Sequence, residues 1–226
     1  MSIRTIASPL AREIVLCCLL VLIAASVLLV RGIAAAAEVT PTIPPAQELQ
    51  QLLDGNQRYV KGNVERPGQR PSDAPQRPLA VVLACADSRV APEIIFDQGI
   101  GDLFVVRVAG NTYDRLALES IEYGVLQLGT SIILVVGHDR CGAVTAAVKA
   151  YPDPHAGPML TNIYPAVREA RTRPGDEVAN AIDDNAVLIA DRLAKDPKLA
   201  ARIKSGQLKV LPAHYYLKTG EVKLLP

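Results

Sequence analysis

The sequence predicts an α/β fold: a central, mostly parallel four-stranded sheet flanked by helices, with a C-terminal antiparallel strand or hairpin. Three observations predict it. Two apolar runs, residues 79–84 and 131–137, each pass directly into a polar cluster. Buried strands of parallel sheets read this way, and the carboxyl ends of such strands are where open α/β sheets place their sites. Strand-like and helix-like stretches then alternate along the chain, which implies parallel pairing through right-handed crossovers. Finally, residues 215–225 carry Thr219-Gly220 at their centre, the pattern of a hairpin. With 226 residues, 50% of them hydrophobic, the chain suits one globular domain with a sizeable core.

The first 37 residues stand apart. Arg4 and Arg12 precede an apolar run over 14–30, and Ala34 to Ala37 form a small-residue stretch before Glu38. This is the pattern of a secretory signal peptide cut near Ala37. The run is long for such a peptide and short for a spanning helix, so an uncleaved membrane anchor over 14–30 is the alternative. A signal peptide implies a periplasmic address, or another exported compartment such as a lumen bounded by an internal membrane. Residues 38–45 form a proline-rich linker, and the domain runs over 46–226.

Within that domain, 46–62 is a helix, with Leu49, Leu52, Leu53 and Tyr59 near helical spacing and Gly62-Asn63 at its end. Residues 64–78 hold four prolines and form a loop. The first strand follows, then a helical turn over 92–98 and a second strand over 103–108. A helix over 116–128 turns Ile121, Val125 and Leu128 inward and stops at Gly129. The third strand is followed by a helix over 143–150 and a loop over 151–158. Helices are expected over 163–171 and 178–193, and a short one within 195–204 after Pro197. A fourth strand covers 207–211.

The chemistry gathers at two strand ends. Cys85, Asp87 and Arg89 follow the first strand, and His138, Asp139, Arg140 and Cys141 follow the third. Two cysteines and one histidine are a known catalytic ligand set for Zn²⁺, one that leaves a fourth position open. Cys17 and Cys18 lie in the leader, so the domain keeps Cys85 and Cys141 alone. In an oxidising compartment that count also allows a Cys85–Cys141 disulfide. The neighbouring His138, Asp87 and Arg89 favour the metal, which would hold both sulfurs as thiolates. A net charge of +1 gives no electrostatic footprint for nucleic acid, and the lack of tryptophan argues against a base-stacking platform.

Cys85-Ala-Asp87-Ser-Arg89-Val90 and Gly137-His138-Asp-Arg-Cys141-Gly142 resemble the two signature motifs of the β-class carbonic anhydrases. The similarity continues through 92–97, 101–111 and 120–123 and into the tail at 216–222, spanning about residues 46–226. The resemblance implies one Zn²⁺ per chain on Cys85, His138 and Cys141. It implies reversible hydration of CO₂ to bicarbonate and a proton, by attack of zinc-bound hydroxide on CO₂. Asp87 would orient the nucleophile, and Arg89 would keep Asp87 ionised. Gln76, nine residues before Cys85, matches a substrate-binding glutamine of plant-like members. Phe104 and Tyr123 match apolar pocket positions, and the Gly142 amide sits at a helix start suited to bound substrate. In that family, pocket residues come from both subunits, so a homodimer or higher homo-oligomer is implied. Some bacterial members hold a regulatory bicarbonate site that uses a tryptophan where this chain has Val82; Arg107 is kept at another position of that site. The departure points to the non-allosteric, open type. His155 and His214 read as solvated loop histidines, with proton relay as the alternative.

Overall fold

The structure, a computed structural model, describes residues 41, 43–66 and 73–226. The leader expected over 1–37, with its cleavage site and its anchor alternative, lies outside the described residues.

Helix α1 (Pro45–Lys61) starts with a proline at its first position, where a missing N–H costs nothing. It ends at Gly62, whose φ of 73° suits glycine at a helix C-terminus. The helix docks on the body through two polar anchors. Asn56 Nδ2 donates to the carbonyls of Ile95 and Gly220, and its Oδ1 accepts from Val222 N. Buried Glu48 accepts from the Ser131 hydroxyl and amide at the entry to the third strand. Burial pushes the Glu48 carboxyl up, against these two hydrogen bonds.

The sheet is built from β1 (Ala80–Ala84), β2 (Leu103–Arg107), β3 (Ile132–His138), β4 (Lys209–Tyr215) and β5 (Val222–Leu224). Their order is β2-β1-β3-β4-β5, with the first four parallel and β5 antiparallel to β4. Every residue of β1 and β3 is buried. Side chains alternate between the two faces, as strand geometry requires. Val82, Leu134 and Val136 meet Leu52 and Phe96 on one face; Val81, Leu83, Ile133 and Val135 meet Ile121, Val125, Ile189 and Leu193 on the other. This two-sided burial is why the strands read as unbroken apolar runs.

The crossovers are α2 (Pro92–Ile95), α3 (Arg115–Leu126), α4 (Gly142–Ala150), α5 (Pro158–Ala170), α6 (Glu177–Ala194) and α7 (Ala200–Lys204), with a 3₁₀ turn at Ala109–Asn111. Asp114 caps α3 by accepting from Ala117 N, and Asp176 caps α6 by accepting from Val178 N and Ala179 N. Each cap contributes about 1 kcal/mol. Helices α4, α5 and α6 form a third apolar cluster that includes Cys85 and Cys141.

Beyond shifts of a few residues at element ends, three features differ from expectation. Helix α5 begins at Pro158, because proline at a first helical position starts a helix that Gly157-Pro158 suggests as loop. Strand β4 continues through Pro212 to Tyr215 rather than stopping at 211. The β4–β5 ladder runs over Ala213–Tyr215, and at its end Leu225 N donates to the Pro212 carbonyl, so proline there costs only the reciprocal terminal bond. The hairpin therefore uses the end of β4 as its first arm, with 216–221 as its turn. The third difference follows from the second: His214 is a buried residue of β4, not a solvated loop histidine. His155, by contrast, is exposed in a turn as expected. Among the described residues no helix is long and apolar enough to cross a membrane.

Candidate metal centre and active site

Strand order explains how two distant motifs meet. β1 and β3 are neighbours and parallel, with Ala84 paired to Val136, so their carboxyl ends emerge side by side. Cys85 follows β1, His138 ends β3, and Cys141 immediately precedes α4. One ligand atom from each lies within 4.8 Å of the others, and all three residues are buried.

The set suits a tetrahedral cation. Two sulfurs each ~2.3 Å from one ion at a tetrahedral angle stand about 3.8 Å apart. Here the sulfurs are 3.9 Å apart, and both cysteines are free. His138 Nδ1 lies 2.9 Å from the Asp139 carbonyl, an acceptor, so the proton sits on Nδ1 and Nε2 keeps its lone pair. That Nε2 is buried and has no hydrogen-bond partner among the described residues. Ionising one of the two thiols disfavours ionising the other. The hydrogen bond from Cys141 draws the Cys85 thiol down to about 4, helped by His138 and by the amides of Gly110 and Asp87. The same pairing with the Cys85 thiolate pushes Cys141 up. A divalent ion relieves this conflict by stabilising both thiolates.

The support of the site comes from backbone. Gly110 N donates to Cys85 Sγ at 3.2 Å and Asp87 N at 3.4 Å. Gly110 has φ 70°, where a side chain is strained, and a Cβ there would lie 2.8 Å from Ile163 Cδ1, so the position favours glycine. Amides of Ala143 and Val144, in the first turn of α4, point at Cys141. Arg107 at the end of β2 donates through Nε to the Cys85 carbonyl at 3.0 Å and through Nη2 to the Asp87 carbonyl at 2.6 Å. It thereby holds the loop that carries both residues. Both of these contacts are to backbone, a structural use of the residue that matches a regulatory-site position in sequence.

Asp87 lies beside the ligand group, with Oδ2 3.9 Å from His138 Nε2. Arg89 binds both its oxygens, Nε to Oδ1 at 2.9 Å and Nη2 to Oδ2 at 2.7 Å, and the Arg89 amide adds a third bond to Oδ1. The Arg89 guanidinium holds the Asp87 carboxyl well below the usual carboxylate range.

The other expected site residues are dispersed in the single chain. Gln76 is exposed in the loop before β1. Phe104 pairs with Val81, four residues or about 13 Å of strand before Cys85. Tyr123 sits beside Phe104, ring centroids 6.1 Å apart, half exposed on α3. Neither ring is brought to its own chain's ligand group. Gly142 is exposed at the first position of α4, with open space where a side chain would project.

A parallel sheet covered on both faces, with a buried Cys₂His group at the ends of its two central strands, defines an α/β zinc metalloenzyme. Residues 80–222 match the family model described as carbonic anhydrase. The chain is 38% identical over 196 residues to carbonic anhydrase 2 of Mycobacterium tuberculosis, covering 81% of this chain and 94% of that protein. Among solved structures it resembles the Coccomyxa β-carbonic anhydrase in complex with acetazolamide, with 26% identity, a TM-score of 0.59 and coverage of 80% and 82% of the two chains. It also resembles a tetrameric β-carbonic anhydrase of the ascomycete Sordaria macrospora, with 25% identity, a TM-score of 0.58 and coverage of 67% and 82%. The chain belongs to the carbonic anhydrase family, in its β class. It is a zinc enzyme that hydrates CO₂.

Proposed function

We propose that this carbonic anhydrase works with Asp87 held by Arg89 and free of the metal, the open form of the site, and that it does so as an exported homo-oligomer. The observation that carries the first part is the doubly bonded Asp87–Arg89 pair beside the ligand group. Cys85, His138 and Cys141 would hold the zinc. Bound Zn²⁺ supplies the Lewis acidity that makes hydroxide available near neutral pH, lowering the pKa of water to about 7.

The remaining work falls to side chains. The net reaction turns CO₂ and water into bicarbonate and a proton. An ionised Asp87 accepts a hydrogen bond and donates none. It therefore turns the proton of the attacking oxygen toward itself and leaves a lone pair facing the carbon of CO₂. Arg89 keeps Asp87 ionised and fixes both of its oxygens, so that orientation needs no rearrangement as the reaction proceeds. The Gln76 amide and the Gly142 N–H donate to carbonate oxygens. Phe104 and Tyr123 give the apolar wall that CO₂ needs, and their distance from their own chain's ligand group supports a role in a partner subunit's pocket.

Two features support the oligomer. β2 is the sheet's outer strand, with one edge unpaired among the described residues. Large apolar side chains stand exposed beside it: Ile94 (60%), Ile100 (62%) and Leu116 (72%). Such surface in a monomer marks an interaction face. Export rests on the pattern of residues 1–37, with an anchor over 14–30 as the alternative.

Stopped-flow CO₂ hydration by the zinc protein and its Asp87→Ala variant tests the reading. Turnover falls by about 10²-fold or more, the size of a lost proton-handling group, while zinc stays at one per chain. Unchanged turnover would refute the role of Asp87.

A further inference from the structure

On the side of β3 away from Cys85 lies a cluster that the reaction does not use. His214, 5% exposed in β4, stands between two carboxylates from different elements. Its Nδ1 is 2.6 Å from Asp183 Oδ1 on α6, and its Nε2 is 3.0 Å from Asp139 Oδ1 in the loop after β3. Asp139 is bound to the β4 region twice more: its Oδ2 accepts from Leu217 N at 3.0 Å, and its amide donates to the Tyr215 carbonyl at 3.3 Å. Its carbonyl is the acceptor that fixes His138 Nδ1.

We propose that His214 is a positioning residue for the metal centre, acting as a clamped cation that fixes Asp139 and, through the Asp139 carbonyl, the orientation of His138.

Proton counting gives the clamp its charge. Ionised carboxylates only accept, so both ring nitrogens need a hydrogen to make both bonds. A neutral ring would turn a lone pair toward one carboxylate. The other charges around the ring leave this balance in place. Arg140 and Lys218 line the same cavity of about 630 Å³, as does Asp176, whose Oδ1 caps α6. Lys223, opposite His214 on β5, lies over the ring of Tyr216, which in turn packs on His214 with centroids 4.3 Å apart. Burial alone would lower the His214 pKa, but the bonds to Asp183 and Asp139 raise it above the ordinary value. The clamp is therefore complete below about pH 6.5 and is lost as pH rises through the higher folded value.

The role rests on His138 being a zinc ligand, and the test separates the two. In the zinc holoenzyme, nitrogen-15 NMR reads the protonation of His214, and transfer of zinc to a colorimetric chelator reads the hold on the metal. At pH 6 both His214 nitrogens carry hydrogen. The variant His214→Phe keeps a ring against Tyr216 and removes the clamp; it releases zinc at least ~10-fold faster, the lower end for groups that orient a metal ligand. Asp183→Asn lets a neutral ring accept from the new amide while still donating to Asp139. It therefore holds zinc as wild type does at pH 6 and loses less of that hold than wild type by pH 9. A neutral His214 at pH 6 would overturn the clamp even if no variant folded. Wild-type zinc release from His214→Phe would overturn its action on the metal, and wild-type protein without zinc would refute the ligand assignment itself.

Discussion

Arg89 grips both oxygens of Asp87, at 2.9 and 2.7 Å, while one of those oxygens stays 3.9 Å from His138 Nε2. Both Asp87 oxygens are thus taken up by Arg89 beside the Cys85, His138 and Cys141 group. A bidentate fork fixes a carboxylate in its plane in a way that a point charge does not.

Arg89→Lys separates geometry from charge. The lysine keeps a cation near Asp87 but loses the fork, so turnover falls about 10-fold with zinc content unchanged. The depressed Asp87 carboxyl gives the sign of the pH effect. Its pair with Arg89 is intact above the ordinary carboxylate value of ~3.9 and is lost only as pH falls through the lower folded value. From pH 6.5 to 9 Asp87 is ionised in wild type and variant alike. The loss is therefore the same factor across that range when initial rates are compared at each pH. A loss confined to the acid end would count against this account.

Arg107→Ala removes two charged hydrogen bonds from the carbonyls of Cys85 and Asp87. Each such bond is worth about 1.5–3 kcal/mol when shielded and less at this exposed position. The variant folds and binds zinc, and its turnover falls several-fold because Asp87 is no longer held in place. Bicarbonate added to the wild type leaves its rate law simple, because Arg107 is occupied with backbone. Sigmoidal inhibition by bicarbonate would reassign Arg107 to regulation.

The metal group and the alternative of a disulfide are distinguished by thiol counting. Chelation of zinc frees Cys85 and Cys141 together, and under anaerobic conditions two thiols per chain react that did not react before. Cys141→Ala prevents stoichiometric zinc binding and lowers the unfolding midpoint, since metal binding is coupled to folding. Equal stability of wild type and Cys141→Ala, each without zinc gain, would remove the metal from the account.

Much of this was legible in the chain. Strands buried on both faces write themselves as apolar runs, so β1 and β3 and the ligands at their ends stood out in sequence. What the sequence hid depends on long-range contact. Pro212 masked the second half of β4, and with it the burial of His214 between residues 31 and 75 positions away. Arg107 matched a position of a regulatory site, and its hold on the carbonyls of Cys85 and Asp87 appears only in space. Gly110 was visible only as part of a motif; its donation to Cys85 needs the turn at Ala109–Asn111 to be seen in space.

Export has its own signature. Secretion of the full chain with its leader yields a product whose amino terminus begins near Glu38, as read by terminal sequencing of the exported fraction. Recovery of intact chains in the membrane would favour the anchor over 14–30.

The most direct measurement is CO₂ hydration by the zinc-counted protein from pH 6.5 to 9. A site with Asp87 held by Arg89 gives turnover throughout, rising smoothly with the ~7 titration that zinc confers on water. A steep collapse of turnover below about pH 8, with zinc retained, would mean that Asp87 leaves Arg89 for the metal and would contradict the open site.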